Sequence, residues 1–134
     1  MTNGSLEQYI NSKKDQINDV FSFMTMARIF EGIQYLHSNQ NIHRDIKPLN
    51  ILLNNDFIPF ISDFETVKHL IDNAEDKTST FDFAAPEQIC CGKISYSTDI
   101  YSFGCIIYFL FYKKHINLKI NEESMTNNVP QNII

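Results

Sequence analysis

The sequence predicts an α+β domain that is mainly helical, and three stretches carry that prediction. Residues 19–38 and 99–112 read as long helices with apolar residues at helical spacing on broad stripes. Between them lie two short apolar runs, Ile51-Leu52-Leu53 and Phe57-Ile58-Pro59-Phe60-Ile61, either side of Asn54-Asn55-Asp56. Two such runs around a turn cluster predict a small β-hairpin.

In chain order, Ser5 is placed to cap a short helix that turns Leu6, Tyr9 and Ile10 to one side. Lys13 to Asn18 is a polar linker, and Asn18 or Asp19 caps the long helix that follows. Val20, Phe23, Met24, Ala27, Phe30 and Ile33 recur at three and four along it, and Phe21, Met26, Ile29 and Leu36 widen the stripe. A helix this apolar is expected to be buried on most sides. After the hairpin, residues 63–87 carry few periodic signals and predict a long functional loop. Residues 86–91 predict one or two helical turns. Ser97 or Thr98 then caps the last helix, Asp99 to about Tyr112. That helix is apolar nearly all round, and each large side chain left in water forfeits about 1.5–3 kcal/mol. The other stretches supply too few partners to cover it. Residues 113–134 have no convincing core-facing period and form a tail.

The bulk properties narrow the class. The 134 residues are 43% hydrophobic and 20% charged, the composition of a globular chain. The net charge is −5, with the acidic residues spread out, which argues against nucleic acid or an anionic membrane as the main partner. Cys90, Cys91 and Cys105 make neither a disulfide framework nor a zinc pair, and predict a reducing, cytoplasmic setting. The start, Met1-Thr2-Asn3-Gly4-Ser5, shows no signal-peptide pattern. The run from Tyr101 to Tyr112 falls short of the ~20 residues of a membrane span.

The chemistry concentrates in His43-Arg44-Asp45-Ile46-Lys47-Pro48-Leu49-Asn50. Downstream come Asp63-Phe64-Glu65, then Ala85-Pro86-Glu87, then Asp99-Ile100-Tyr101-Ser102-Phe103-Gly104. In this order and spacing the four motifs resemble the larger, C-terminal lobe of eukaryotic protein kinases, over about residues 3–112. The fold implied is a partial kinase domain: long central helices, the hairpin and an activation segment, without the N-terminal lobe. Lys47 resembles the serine/threonine type. The Gly4-Ser5-Leu6 start and the 99–104 motif resemble its tyrosine-kinase-like branch.

The resemblance implies roles residue by residue. Asp45 would be the catalytic base, Lys47 would neutralise the transferred phosphoryl group, and Asn50 and Asp63 would hold Mg2+ for ATP. Leu52 would pack under the adenine. His43 would pack beneath Phe64, and Arg44 would pair with an acidic or phosphorylated group in the activation segment. Asp99 would fasten the catalytic loop from below; the rival reading is a simple charge at a helix N-terminus. Thr80 would touch Asp45 and Lys47, and Glu87 would pair with a downstream arginine. Thr78, Ser79 and Thr80 are phosphoacceptor candidates. Glu75 or Asp76 could stand in for an activating phosphate, or the loop could be a solvated acidic stretch.

Three departures matter. Glu65 stands where the family has glycine, which reads either as tolerated variation or as altered activity. A Gly-rich phosphate loop and a Val-Ala-Ile-Lys strand are not found in these 134 residues. The final helices of the large lobe are not found either. Two functional readings follow. One is a truncated serine/threonine kinase acting on protein substrates and inactive alone. The other is a pseudokinase-like binding module whose apolar helix is covered by a partner chain.

Overall fold

The computed structural model describes residues 3–69 and 82–116. The expectations for Glu75, Asp76, Thr78, Ser79, Thr80 and most of the tail therefore lie outside the described residues.

Helix α1, Leu6–Lys13, begins with a reciprocal cap. The Ser5 hydroxyl accepts from the Gln8 N–H, and the Gln8 side chain accepts from the Ser5 N–H. Its apolar face, Leu6 and Ile10, is fully buried. Helix α2, Asp19–Ser38, is capped by Asn18, whose side chain accepts from the Phe21 N–H. Strand β1, Asn41–Ile42, follows directly. A short turn, Pro48–Asn50, then leads into the hairpin of β2, Ile51–Leu53, and β3, Pro59–Ile61. Leu52 pairs with Phe60 across it. The Asn54 side chain accepts from the N–H groups of Asp56 and Ile58 and shapes the turn. The stretch ahead of α1 lies alongside β2, with Asn3 and Gly4 bonded to Leu53.

Strand β4, Lys68–His69, pairs antiparallel with β1. Helix α3, Pro86–Cys91, starts on a proline, where the missing N–H costs nothing. It ends on Gly92 in the left-handed region. Helix α4 runs from Tyr96 to Tyr112. Its start lies three residues earlier than the sequence predicts, at Ser95 rather than Ser97 or Thr98. Tyr96 is drawn into the helix, where its ring rests on His37, centroids 4.5 Å apart.

The core lies where α2 and α4 pack against each other and against the hairpin and α1. Ile29, Ile33 and Leu36 meet Phe103, Ile106, Phe109 and Leu110 there, joined by Ile46, Ile51, Leu53 and Ile61. The inward face of α2 is not the one its most regular apolar repeat suggests. Ser22, Thr25, Ile29, Ile33 and Leu36 are buried. Val20, Phe23 and Met24 are 65%, 55% and 63% exposed. Small polar residues at 22 and 25 let α4 approach closely, and the Ser22 hydroxyl donates to the Leu110 carbonyl at 3.4 Å. The expectation that the last helix lacks packing partners does not hold: α4 is the better covered of the two, with Phe103, Ile106, Phe109 and Leu110 buried and Ile100 and Tyr112 as its large exposed residues. Among the described residues, no helix is long and apolar enough to cross a membrane.

Candidate active site

The site is built on the segment between β1 and β2, and a buried carboxylate holds that segment from beneath. Asp99, 1% exposed on α4, accepts three hydrogen bonds. Its Oδ1 takes the Arg44 N–H at 2.9 Å. Its Oδ2 takes the His43 N–H at 2.9 Å and the His37 Nε2 at 2.8 Å. These bonds satisfy backbone donors that the sharp turn of the loop would otherwise leave buried and unpaired. Asp99 thus ties the turn at His43 and Arg44 to α4. His37 is a member that sequence reasoning missed. Its partner lies 62 residues away, so no local signal in the sequence marks it.

Around this anchor the loop takes a strained path. Arg44 has φ 72° and Asp63 φ 62°, both in the left-handed region that side chains other than glycine's rarely adopt. Each costs of order 1–2 kcal/mol and persists because the surroundings over-determine it. The Arg44 carbonyl accepts from Gln88 Nε2 of α3 at 3.0 Å. Gln88 is a second residue that the sequence did not flag. His43 is fully buried and points Nε2 at the Ser62 carbonyl, 2.9 Å away. A carbonyl only accepts, so Nε2 is the donor. The Phe64 ring meets His43 edge-on, centroids 5.9 Å apart.

Asp45 sits in the middle of this frame. Asn50 Nδ2 donates to its backbone carbonyl at 2.9 Å and to its Oδ2 at 3.0 Å. Lys47 Nζ lies 2.7 Å from the same Oδ2, with both side chains less than one-fifth exposed. The carboxylate is thus fixed by an amide and an ammonium group, which is charge-assisted and short. Asn50 in turn is bound to the segment just after β3 that leads into Asp63: its carbonyl accepts from both the N–H and the hydroxyl of Ser62, at 2.8 and 2.9 Å. The structure therefore brings His43, Arg44, Asp45, Lys47, Asn50, Phe64 and Asp99 into one bonded unit, with Asp63 next in chain to Ser62. Leu52, on the adjoining strand, is half-buried. Glu87 is half-buried in the first turn of α3. Thr80 lies outside the described residues.

A magnesium ion takes hard oxygen ligands, commonly one or two carboxylates plus substrate phosphates. The donor set here fits. With its nitrogen committed to Asp45, Asn50 has its amide oxygen left as the ligand atom, and Asp63 supplies a carboxylate. Glu65 is not among the residues with positive φ, so this backbone path demands no glycine there.

A paired carboxylate and ammonium on a clamped loop is an arrangement that positioning and charge neutralisation in phosphoryl transfer can use. The protein kinase domain model matches residues 1–134. The chain is 34% identical to the Arabidopsis thaliana leaf rust 10 disease-resistance locus receptor-like protein kinase-like 2.1, over 95% of this chain and 21% of that protein. It is 34% identical to the L-type lectin-domain containing receptor kinase V.5 of the same plant, over 80% of this chain and 18% of that one. It is 38% identical to a Dictyostelium discoideum "Probable serine/threonine-protein kinase", over 76% of this chain and 27% of that one. The chain belongs to the protein kinase family, and it spans about a fifth of the length of the curated relatives it matches.

Proposed function

We infer that this chain is the catalytic-loop half of a serine/threonine-type protein kinase. The observation that carries the reading is Asp45, held by Asn50 and Lys47 on one carboxylate oxygen. The other oxygen, Oδ1, is then the one to orient an acceptor hydroxyl and take its proton. Lys47 is the group that meets charge developing on the transferred phosphoryl. Mg2+-ATP, when bound, supplies the phosphoryl group and neutralises its charge. Asn50 and Asp63 are the residues that would hold the metal, and Leu52 is the apolar contact for the nucleotide base. Arg44 is assigned to pair with an acidic or phosphorylated group of the activation segment, Thr80 to touch Asp45 and Lys47, and Glu87 to pair with a downstream arginine. Protein hydroxyls of serine and threonine are the substrate class, as the relatives' names support.

Alone, the 134 residues are expected to transfer phosphate negligibly, because their sequence holds no Gly-rich phosphate loop and no Val-Ala-Ile-Lys strand. The test is phosphorylation of a generic protein acceptor by the purified chain, with Asp45→Asn alongside. No transfer above background in either sample is the expected result. Clear transfer that disappears in Asp45→Asn would overturn the proposed inactivity.

A second reading is favoured by the outer face of α2. Val20, Phe23, Met24 and Phe30 are large, apolar and exposed. The Phe23 and Phe30 rings lean on Phe111 and Phe103 of α4, while Val20 and Met24 face water, and large apolar side chains left in water suit an interaction face. In this reading the chain is a pseudokinase-like module whose α2 is covered by a partner polypeptide. The module reading predicts a soluble monomer or a defined hetero-complex at low salt, and light scattering that finds the purified chain only as a heterogeneous aggregate weighs against it.

A further inference from the structure

Cys90 and Cys91 close helix α3, and neither has a part in the site described above. Both are exposed, and their sulfur atoms lie 2.7 Å apart. The helix end they occupy is held by two backbone bonds. The Gly92 N–H donates to the Gln88 carbonyl and the Lys93 N–H to the Glu87 carbonyl, each at 3.1 Å. Gln88, on the same turn, also holds the Arg44 carbonyl. The third cysteine, Cys105, is buried in α4, and burial pushes its thiol above the usual range.

We propose that Cys90 and Cys91 form a reversible vicinal disulfide whose closure unwinds the last turn of α3 and loosens its hold on the 43–46 loop. The inference is independent of whether the chain transfers phosphate. Adjacent Cα atoms are about 3.8 Å apart, below the ~4.4 Å lower bound of ordinary disulfides. The two residues must leave helical geometry for their sulfurs to bond. The Gly92 and Lys93 bonds depend on that geometry and break with it. A strained, exposed disulfide is also a readily reduced one, which makes the step reversible.

The oxidant is a low-molecular-weight disulfide. One cysteine, as its thiolate, attacks a sulfur of that disulfide and releases one small thiol. The other cysteine then attacks the protein sulfur of the mixed disulfide and expels the second. The two cysteines lose two protons and two electrons, and the small disulfide gains them as two thiols. The hydrogen bond from Cys91 holds the Cys90 thiol above its usual range, so the exchange is slow near neutral pH and faster in mild alkali.

The test uses the purified 134-residue chain in glutathione redox buffers, quenched in acid, alkylated and analysed by mass spectrometry. The expected result is a peptide over residues 90–91 that loses two hydrogens and accepts no alkyl group as the buffer becomes oxidising. Cys105 should be alkylated only after unfolding. Cys91→Ser should stop at the mixed disulfide with glutathione. Amide exchange should rise about tenfold at Gly92 and Lys93 on closure, each having lost its backbone hydrogen bond. Exchange over residues 43–46 should rise with it, and dithiothreitol should reverse both changes. Two free thiols throughout, or a bond between two chains on a non-reducing gel, would overturn the site. Closure that leaves exchange over 43–46 unchanged would overturn the coupling.

Discussion

Replacing Asp99 with alanine removes the acceptor for three hydrogen bonds at once. The His43 and Arg44 amides remain buried, since those residues are 0% and 7% exposed. Leaving each N–H unpaired costs about 1–3 kcal/mol. Breaking the buried His37–Asp99 contact belongs to the same loss, so the sum is about 3–5 kcal/mol. That is a large part of the ~5–15 kcal/mol that holds a typical domain. Urea unfolding followed by far-UV circular dichroism measures it, and the chain's lack of tryptophan makes the backbone signal the practical one. The midpoint should fall steeply with little change in slope. His37→Ala should cost less, and its effect should largely vanish in the Asp99→Ala background, because the two share one bond. A loss below about 1 kcal/mol for Asp99→Ala would match a mere helix N-terminal charge and refute the anchoring argument.

Three further outcomes follow from the packing. Ser5→Ala should cost about 1 kcal/mol in the same unfolding assay, because it opens the reciprocal cap of α1. Gly32→Ala would place a methyl carbon 2.9 Å from Ile61 Cδ1, so overpacking of about 1–3 kcal/mol should outweigh the gain of up to ~1 kcal/mol in helix propensity. Adding Ile61→Val, which removes that carbon, should recover part of the loss. Val20→Lys with Met24→Gln should leave stability in the same urea assay within about 0.5 kcal/mol, since both side chains are mostly in water.

The sequence made the order of elements legible because each long element carries its own local signal. Asn18 and Ser5 cap where they were expected, and the hairpin turns at Asn54. The inner face of α2 was not legible. Apolar residues lie on both sides of that helix, and the choice between faces was made by Ser22 and Thr25, whose small size admits α4. The β1–β4 pair was also missed, since two-residue strands carry no period to read. At the site, Asp45, Lys47, Asn50 and Asp63 were singled out by the resemblance of their motifs to those of protein kinases. His37, Ser62 and Gln88 were not, because each acts through a partner far away in the chain. What a short motif does not reveal is the frame that strains it into shape.

The central claim is that the clamped Asp45 is a working catalytic group. The most direct test is a chimera in which residues 3–112 replace the matching stretch of a related kinase that retains its own upstream lobe. The chimera should phosphorylate serine or threonine in a protein acceptor. Asp45→Asn should lower the rate by at least about a hundredfold, in line with loss of a positioned general base, with the fold unchanged. A folded chimera without activity, or one in which Asp45→Asn is as active as the parent, would contradict the account.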